Sequence, residues 1–144
     1  MTDLTHILNA IEQTAAHLKH IPKLGWKFTF RGREYFFYEP GAGTHLLRFS
    51  IPCLHRTAPE ERACALDAIN ETNLNVRYVR ALLLSSGCIT LQYDFLDPGD
   101  VKAVENVVAK HILPALDYAA CFLIKKIEVG LLAQSANCPV PQLF

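Results

Sequence analysis

Cys53 and His55 stand two residues apart, a spacing that places two side chains on one face of an extended strand. A thiol beside an imidazole makes a nucleophile and its base, provided that a third group orients the imidazole. No third group is adjacent in sequence, and a free cysteine is more commonly a small buried hydrophobe. The pair is nevertheless the one arrangement in the chain that resembles a thiol-dependent enzyme. His17 and His20 lie three apart at helical spacing, but zinc takes four Cys or His ligands with short paired spacings. The remaining histidines, His6, His45, His55 and His111, are scattered, so no metal or other cofactor is expected. Gly41-Ala42-Gly43-Thr44 resembles a phosphate loop, yet it lacks the lysine and is followed by strand-like sequence where a helix is needed. Arg48, Arg77 and Arg80 fall on expected strands, where they could meet on one side of a sheet but are expected to snorkel at its margin or pair with acids such as Glu34 and Asp94.

Composition narrows the classes further. Of 144 residues, 51% are apolar and 19% charged, below the roughly 25% charged residues of typical soluble domains. Such a chain folds, and it has apolar side chains to spare for an interface. The length suits one domain, expected over residues 1–130 with a tail at 131–144. The formal net charge is zero, so no global field favours nucleic acid or a membrane surface. A local basic run, Lys19, Lys23, Lys27, Arg31 and Arg33, reads as a solvated helix end and hairpin. The five cysteines are an odd number without a CxxC pair, and no leader-like start is evident. Reduced thiols and a cytoplasmic location follow as expectations, with no membrane span.

The elements that must position these residues can be read from periodicity. Leu4, Ile7, Leu8, Ile11, Ala15 and Leu18 keep helical spacing behind a capping Thr2, up to Pro22 and Gly25. Trp26, Phe28 and Phe30 then alternate with polar residues, and Gly32 turns the chain into Glu34–Glu39. The run Tyr35-Phe36-Phe37-Tyr38 is apolar on both faces, so helices or a second subunit are expected over both. A third strand spans His45–Ile51. Thr57-Ala58-Pro59-Glu60 signals a helix that buries Ala63, Leu66 and Ile69, with Asn73 or Leu74. Val76–Leu84 and the alternating Ile89, Leu91, Tyr93 and Phe95 form strands four and five. Asp97-Pro98 opens a last helix that keeps its apolar stripe to Gly130, with Pro114 kinking it near Lys110–Leu113. The fold class is therefore α+β in the order α-βββ-α-ββ-α, an antiparallel five-stranded sheet packed by helices, with a long kinked C-terminal helix.

Ala68-Ile69-Asn70-Glu71-Thr72-Asn73 and Ser86-Gly87-Cys88-Ile89-Thr90-Leu91 sit within that order of elements, which covers residues 3 to about 129. On these features the chain resembles the YbjN-like proteins, which share the fold of type III secretion chaperones. The resemblance implies a small, non-catalytic, usually dimeric protein that holds or senses another polypeptide, and it brings no catalytic residues. The expected function is a protein-binding module, chaperone-like or regulatory, acting as a homodimer with an unidentified polypeptide partner. Its candidate interface is Trp26, Phe28, Tyr35, Phe36, Phe37, Tyr38, Leu143 and Phe144, because aromatic anchors beside arginine are what interfaces favour. A small-molecule sensor with a pocket between the sheet and the last helix is the alternative.

Overall fold

The computed structural model describes residues 4–41, 46–97 and 100–137. Helix α1 (Thr5–Thr14) precedes strands β1 (Ala16–Ile21), β2 (Gly25–Phe30), β3 (Arg33–Tyr38) and β4 (Leu46–Arg56). A single turn at Pro59–Glu61 leads into α2 (Arg62–Asn75), followed by β5 (Val79–Leu83) and β6 (Cys88–Leu96). The described residues close with one long helix: α3 (Val101–Val107), a π segment at Val108–Ile112, and α4 (Leu113–Asn137). The class is mixed α+β with an open antiparallel sheet, but the sheet has six strands in the order β1-β2-β3-β4-β6-β5.

The additional strand is β1, where the apolar spacing had extended the first helix. Helix α1 stops at Thr14, whose hydroxyl donates to the Ala10 carbonyl, and Ala15 is already extended. Leu18 fits a helical stripe and a strand alternation equally well. In the structure it packs on the core from β1, beside His20, which stacks on Trp26 at 4.8 Å. One extra residue between Ala16 and Lys19 bulges this edge strand, with His17 at φ +58°. Pro22 and Gly25 then close a β1–β2 turn. Gly25, at φ +147°, has no room for a side chain against the Phe37 carbonyl.

The helices lie on one face of the sheet. Phe28, Tyr35, Phe37, Leu47, Phe49 and Leu91 are almost fully buried there. Ile7 and Ile11 of α1 and Val104, Ile112, Leu116, Leu123 and Ile127 of the last helix pack against them. Helix α2 buries Ala65, Ala68, Ile69 and Thr72, whereas Ala63, Leu66 and Leu74 are exposed. Ile69 is buried as expected, whereas the rest of the inner face is made by Ala65, Ala68 and Thr72 in place of the expected residues.

Helix starts are also offset. The Glu61 carboxylate accepts from the Ala58 N–H at 3.0 Å, one residue later than the Thr57/Glu60 pairing expected. Asp100, not Asp97, caps α3 by accepting from Lys102 and Ala103. Leu4 occupies the N-cap of α1, and Thr2 lies outside the described residues.

Pro114 lacks the N–H that an α-helix would use, and the turn before it is π-helical, with Leu113 N–H bonded to the Val108 carbonyl. The helix does not end at Gly130 but continues to Asn137. Within Val101–Ser135 an 18-residue window of mean hydropathy 1.5 has the length and composition of a membrane crossing. Here its inner side packs into the core. Asp117 ties this helix to the β2–β3 hairpin, accepting from Arg31 and Arg33 at 3.0 Å each.

Candidate functional site

Strand alternation divides the aromatic run of β3. Tyr35 and Phe37 point into the core with Phe28, stacked on neighbouring rings, and offer no surface. Trp26 is half-buried on the same side, between His20 and Phe37. Phe36 and Tyr38 point the other way, their rings 4.9 Å apart, and both remain partly exposed. Leu143 and Phe144 lie outside the described residues.

The face that carries Phe36 and Tyr38 has no helix over it among the described residues. Register with β3 places Ser50 of β4 beside Phe36, and Ser50 donates to the Tyr38 hydroxyl at 3.1 Å. Arg48 of β4 lies opposite Asp94 of β6 and binds it with two hydrogen bonds, 2.7 and 3.0 Å. Hydrogen bonding to Asp94 raises the already high pKa of this guanidinium, against a smaller opposing effect of burial. Arg80 of β5 donates to Gln92 at 2.8 Å and comes within 4.0 Å of Asp94. Lys27 and Glu34 face each other at 3.9 Å near the other margin. The expected pairing of strand arginines with Asp94 is thus present for Arg48 and Arg80. Arg77 is exposed and lies outside any strand.

At the far end of this face, β4 is irregular. Pro52, Cys53 and Leu54 stand opposite Thr90 alone, and Thr90 donates its hydroxyl to the Pro52 carbonyl at 2.6 Å. Proline has no N–H to give a ladder, so it suits such a bulge. Cys53 is bonded to Cys88 of β6 as a disulfide, with Cα atoms 5.1 Å apart. That pairing corrects the expectation of reduced thiols for these two residues and leaves Cys53 without a thiol for His55 to activate. The His55 imidazole instead approaches Glu61 at 3.8 Å. Cys64 and Cys121 are free.

A cavity of about 350 Å3 opens beside the bulge, lined by Arg33, Glu34, Ile51, Pro52, Cys53 and Leu54. Another, of about 360 Å3, lies between α2 and α4, bordered by Cys64, Asp67, Glu71, Lys126 and Gly130. The space between sheet and last helix is filled by Leu116, Ala119, Ala120 and Leu123, each fully buried. Among the described residues no three His, Cys, Asp or Glu side chains converge as a metal site would require.

Neither the bulge nor its disulfide follows from local spacing; Pro52, one residue beyond the expected strand end at Ile51, is the residue that signals an irregularity there. No known protein-family model matches the chain, and no curated protein matches it.

Proposed function

We propose that the chain is a non-catalytic protein-binding module in which a second copy of the chain docks on the helix-free face of the sheet. The observation that carries this reading is the pair Phe36 and Tyr38, two large aromatics side by side on the face that no helix covers among the described residues. An antiparallel sheet with one solvated face normally turns polar side chains to water. Aromatics beside an ordered arginine are, by contrast, the composition of interface cores. Lys27, Arg48 and Arg80 are interspersed with Glu34 and Asp94, so the face carries both signs and can meet a copy of itself. The resemblance to YbjN-like proteins points the same way.

Sedimentation of the full chain tests the proposal. A dimer that Phe36→Ala with Tyr38→Ala weakens by about tenfold or more, with the urea midpoint little changed, is the expected result. A strictly monomeric protein, or a dimer indifferent to both substitutions, overturns it. A monomer that captures an unrelated polypeptide through these residues would keep the face and replace its occupant.

A further inference from the structure

We propose that the Cys53–Cys88 disulfide is a thiol-exchange switch, opened by a soluble thiol attacking Cys53, and that opening it loosens one end of the helix-free face. The consequence for docking rests on the reading above; the exchange chemistry does not. Three observations carry it.

The two sulfurs differ in access. Cys53 is exposed, whereas Cys88 is only 8% exposed. Thiol–disulfide exchange proceeds by attack on the sulfur that can be reached, and solvent-open bridges are the labile, regulatory class. The cavity of about 350 Å3 that Cys53 lines gives the attacking thiol room.

The bridge also spans the irregular stretch of β4. The β3–β4 register pairs Phe36 with Ser50 and Phe37 with Phe49, and does not extend to the bulge. From Pro52 to Leu54 the regular ladder to β6 is interrupted, and there the Thr90–Pro52 hydrogen bond and the disulfide cross-link the two strands. Cys88 alternates in register with Thr90, Gln92 and Asp94, which places the bridge on the same face as Arg48 and Phe36.

The chemistry balances with two equivalents of thiol. The first, as thiolate, bonds to Cys53 Sγ while the S–S bond breaks, and Cys88 leaves as thiolate and takes up a proton. The second thiol attacks the mixed disulfide, releases Cys53 as a thiol and departs joined to the first. Two electrons pass from the external thiols to the bridge. A reducing compartment, where structural disulfides are rare but redox-sensing ones occur, is compatible with such a bond.

Glutathione is the probe. The full chain is equilibrated with graded ratios of reduced and oxidised glutathione, alkylated and mapped by peptide mass. Millimolar reduced glutathione should open the bridge in the folded protein. Oxidised glutathione should modify Cys53 in Cys88→Ser about tenfold faster than Cys88 in Cys53→Ser. Amide exchange over residues 50–56 and 88–92 should rise about tenfold on reduction, with β2 unchanged. A bridge that opens only on denaturation, equal reaction at both cysteines, two free thiols under oxidised glutathione, or unchanged exchange would each overturn the switch. A protein that passes these tests but stays monomeric in both redox states refutes the docking role and leaves the switch standing. A dimer whose bridge resists glutathione does the reverse.

Discussion

Asn73 and Ala81 are joined by a pair of hydrogen bonds that seals one edge of the sheet. The Ala81 N–H donates to Asn73 Oδ1 at 2.8 Å, and Asn73 Nδ2 donates to the Ala81 carbonyl at 3.1 Å. Strand β5 is terminal in the sheet, so Ala81 turns both of these backbone groups outward, where another strand would otherwise bind. The side-chain amide of α2 thus takes the place of a seventh strand. At the opposite edge, β1 is protected differently, by its bulge and by Lys19.

Asn73→Ala should therefore have two separable effects. Two backbone groups of a residue that is 1% exposed lose their partners, which costs about 1–2 kcal/mol, seen as a lower urea midpoint. The freed edge should also promote self-association that rises with protein concentration, read by light scattering. Loss of stability without association would mean that Asn73 only anchors α2.

A second prediction concerns alkaline pH. Tyr35 is fully buried and its hydroxyl has no hydrogen-bond partner among the described residues. Burial, reinforced by the Asp117 carboxylate, pushes its pKa well above the ordinary value, against the lowering influence of Arg33 and Arg31. In the unfolded chain a tyrosine loses its proton near pH 10, about where stability should begin to fall. Above that pH the unfolded state binds fewer protons than the native one, so unfolding becomes easier as pH rises. Below it the contribution is fully present. Tyr35→Phe should leave the neutral-pH midpoint unchanged or slightly higher and flatten the alkaline decline. Some decline should persist, because burial also raises the pKa of Tyr93. An identical decline in both proteins would show that Tyr35 does not govern it.

Much of the fold was legible because one periodicity dominated each segment. Ile89, Leu91, Tyr93 and Phe95 alternate without ambiguity, and β6 sits where they place it. The effect of Pro114 was also legible, since a missing N–H must disturb the turn before it. Strand β1 was not, because Ala15 and Leu18 keep the helical spacing that follows from Ile11, and only pairing with β2 decides against a helix. Helix α2 was legible only in part: Ile69 is buried as its size suggests, but Leu66 and Leu74 are exposed while the small residues Ala65, Ala68 and Thr72 are buried. For the candidate site, the aromatic run was visible, but which half faces outward depends on where the helices lie. The Cys53–Cys88 pairing depends on the β4–β6 register across 35 residues, which local spacing does not contain.

The close packing of α2 on α4 gives a last prediction, in which the sign depends on the background. A Cβ placed on Gly130 would come within 2.5 Å of Cys64 Sγ. The Cys64 thiol is held there by donation to the Ile127 carbonyl at 3.5 Å, and burial, with Asp67 and Glu61 nearby, raises its pKa so that it remains a neutral donor. Replacing a helical glycine by alanine ordinarily stabilises by about 0.5–1 kcal/mol. In the native background the clash with sulfur should cancel or reverse that gain, because overpacking costs about 1–3 kcal/mol. With Cys64→Ala already in place the sulfur is gone, and Gly130→Ala should recover its ordinary benefit. The two substitutions should therefore be non-additive by about 1 kcal/mol or more in urea denaturation. Additivity would mean that Cys64 turns aside freely and that Gly130 does not set the approach of the two helices.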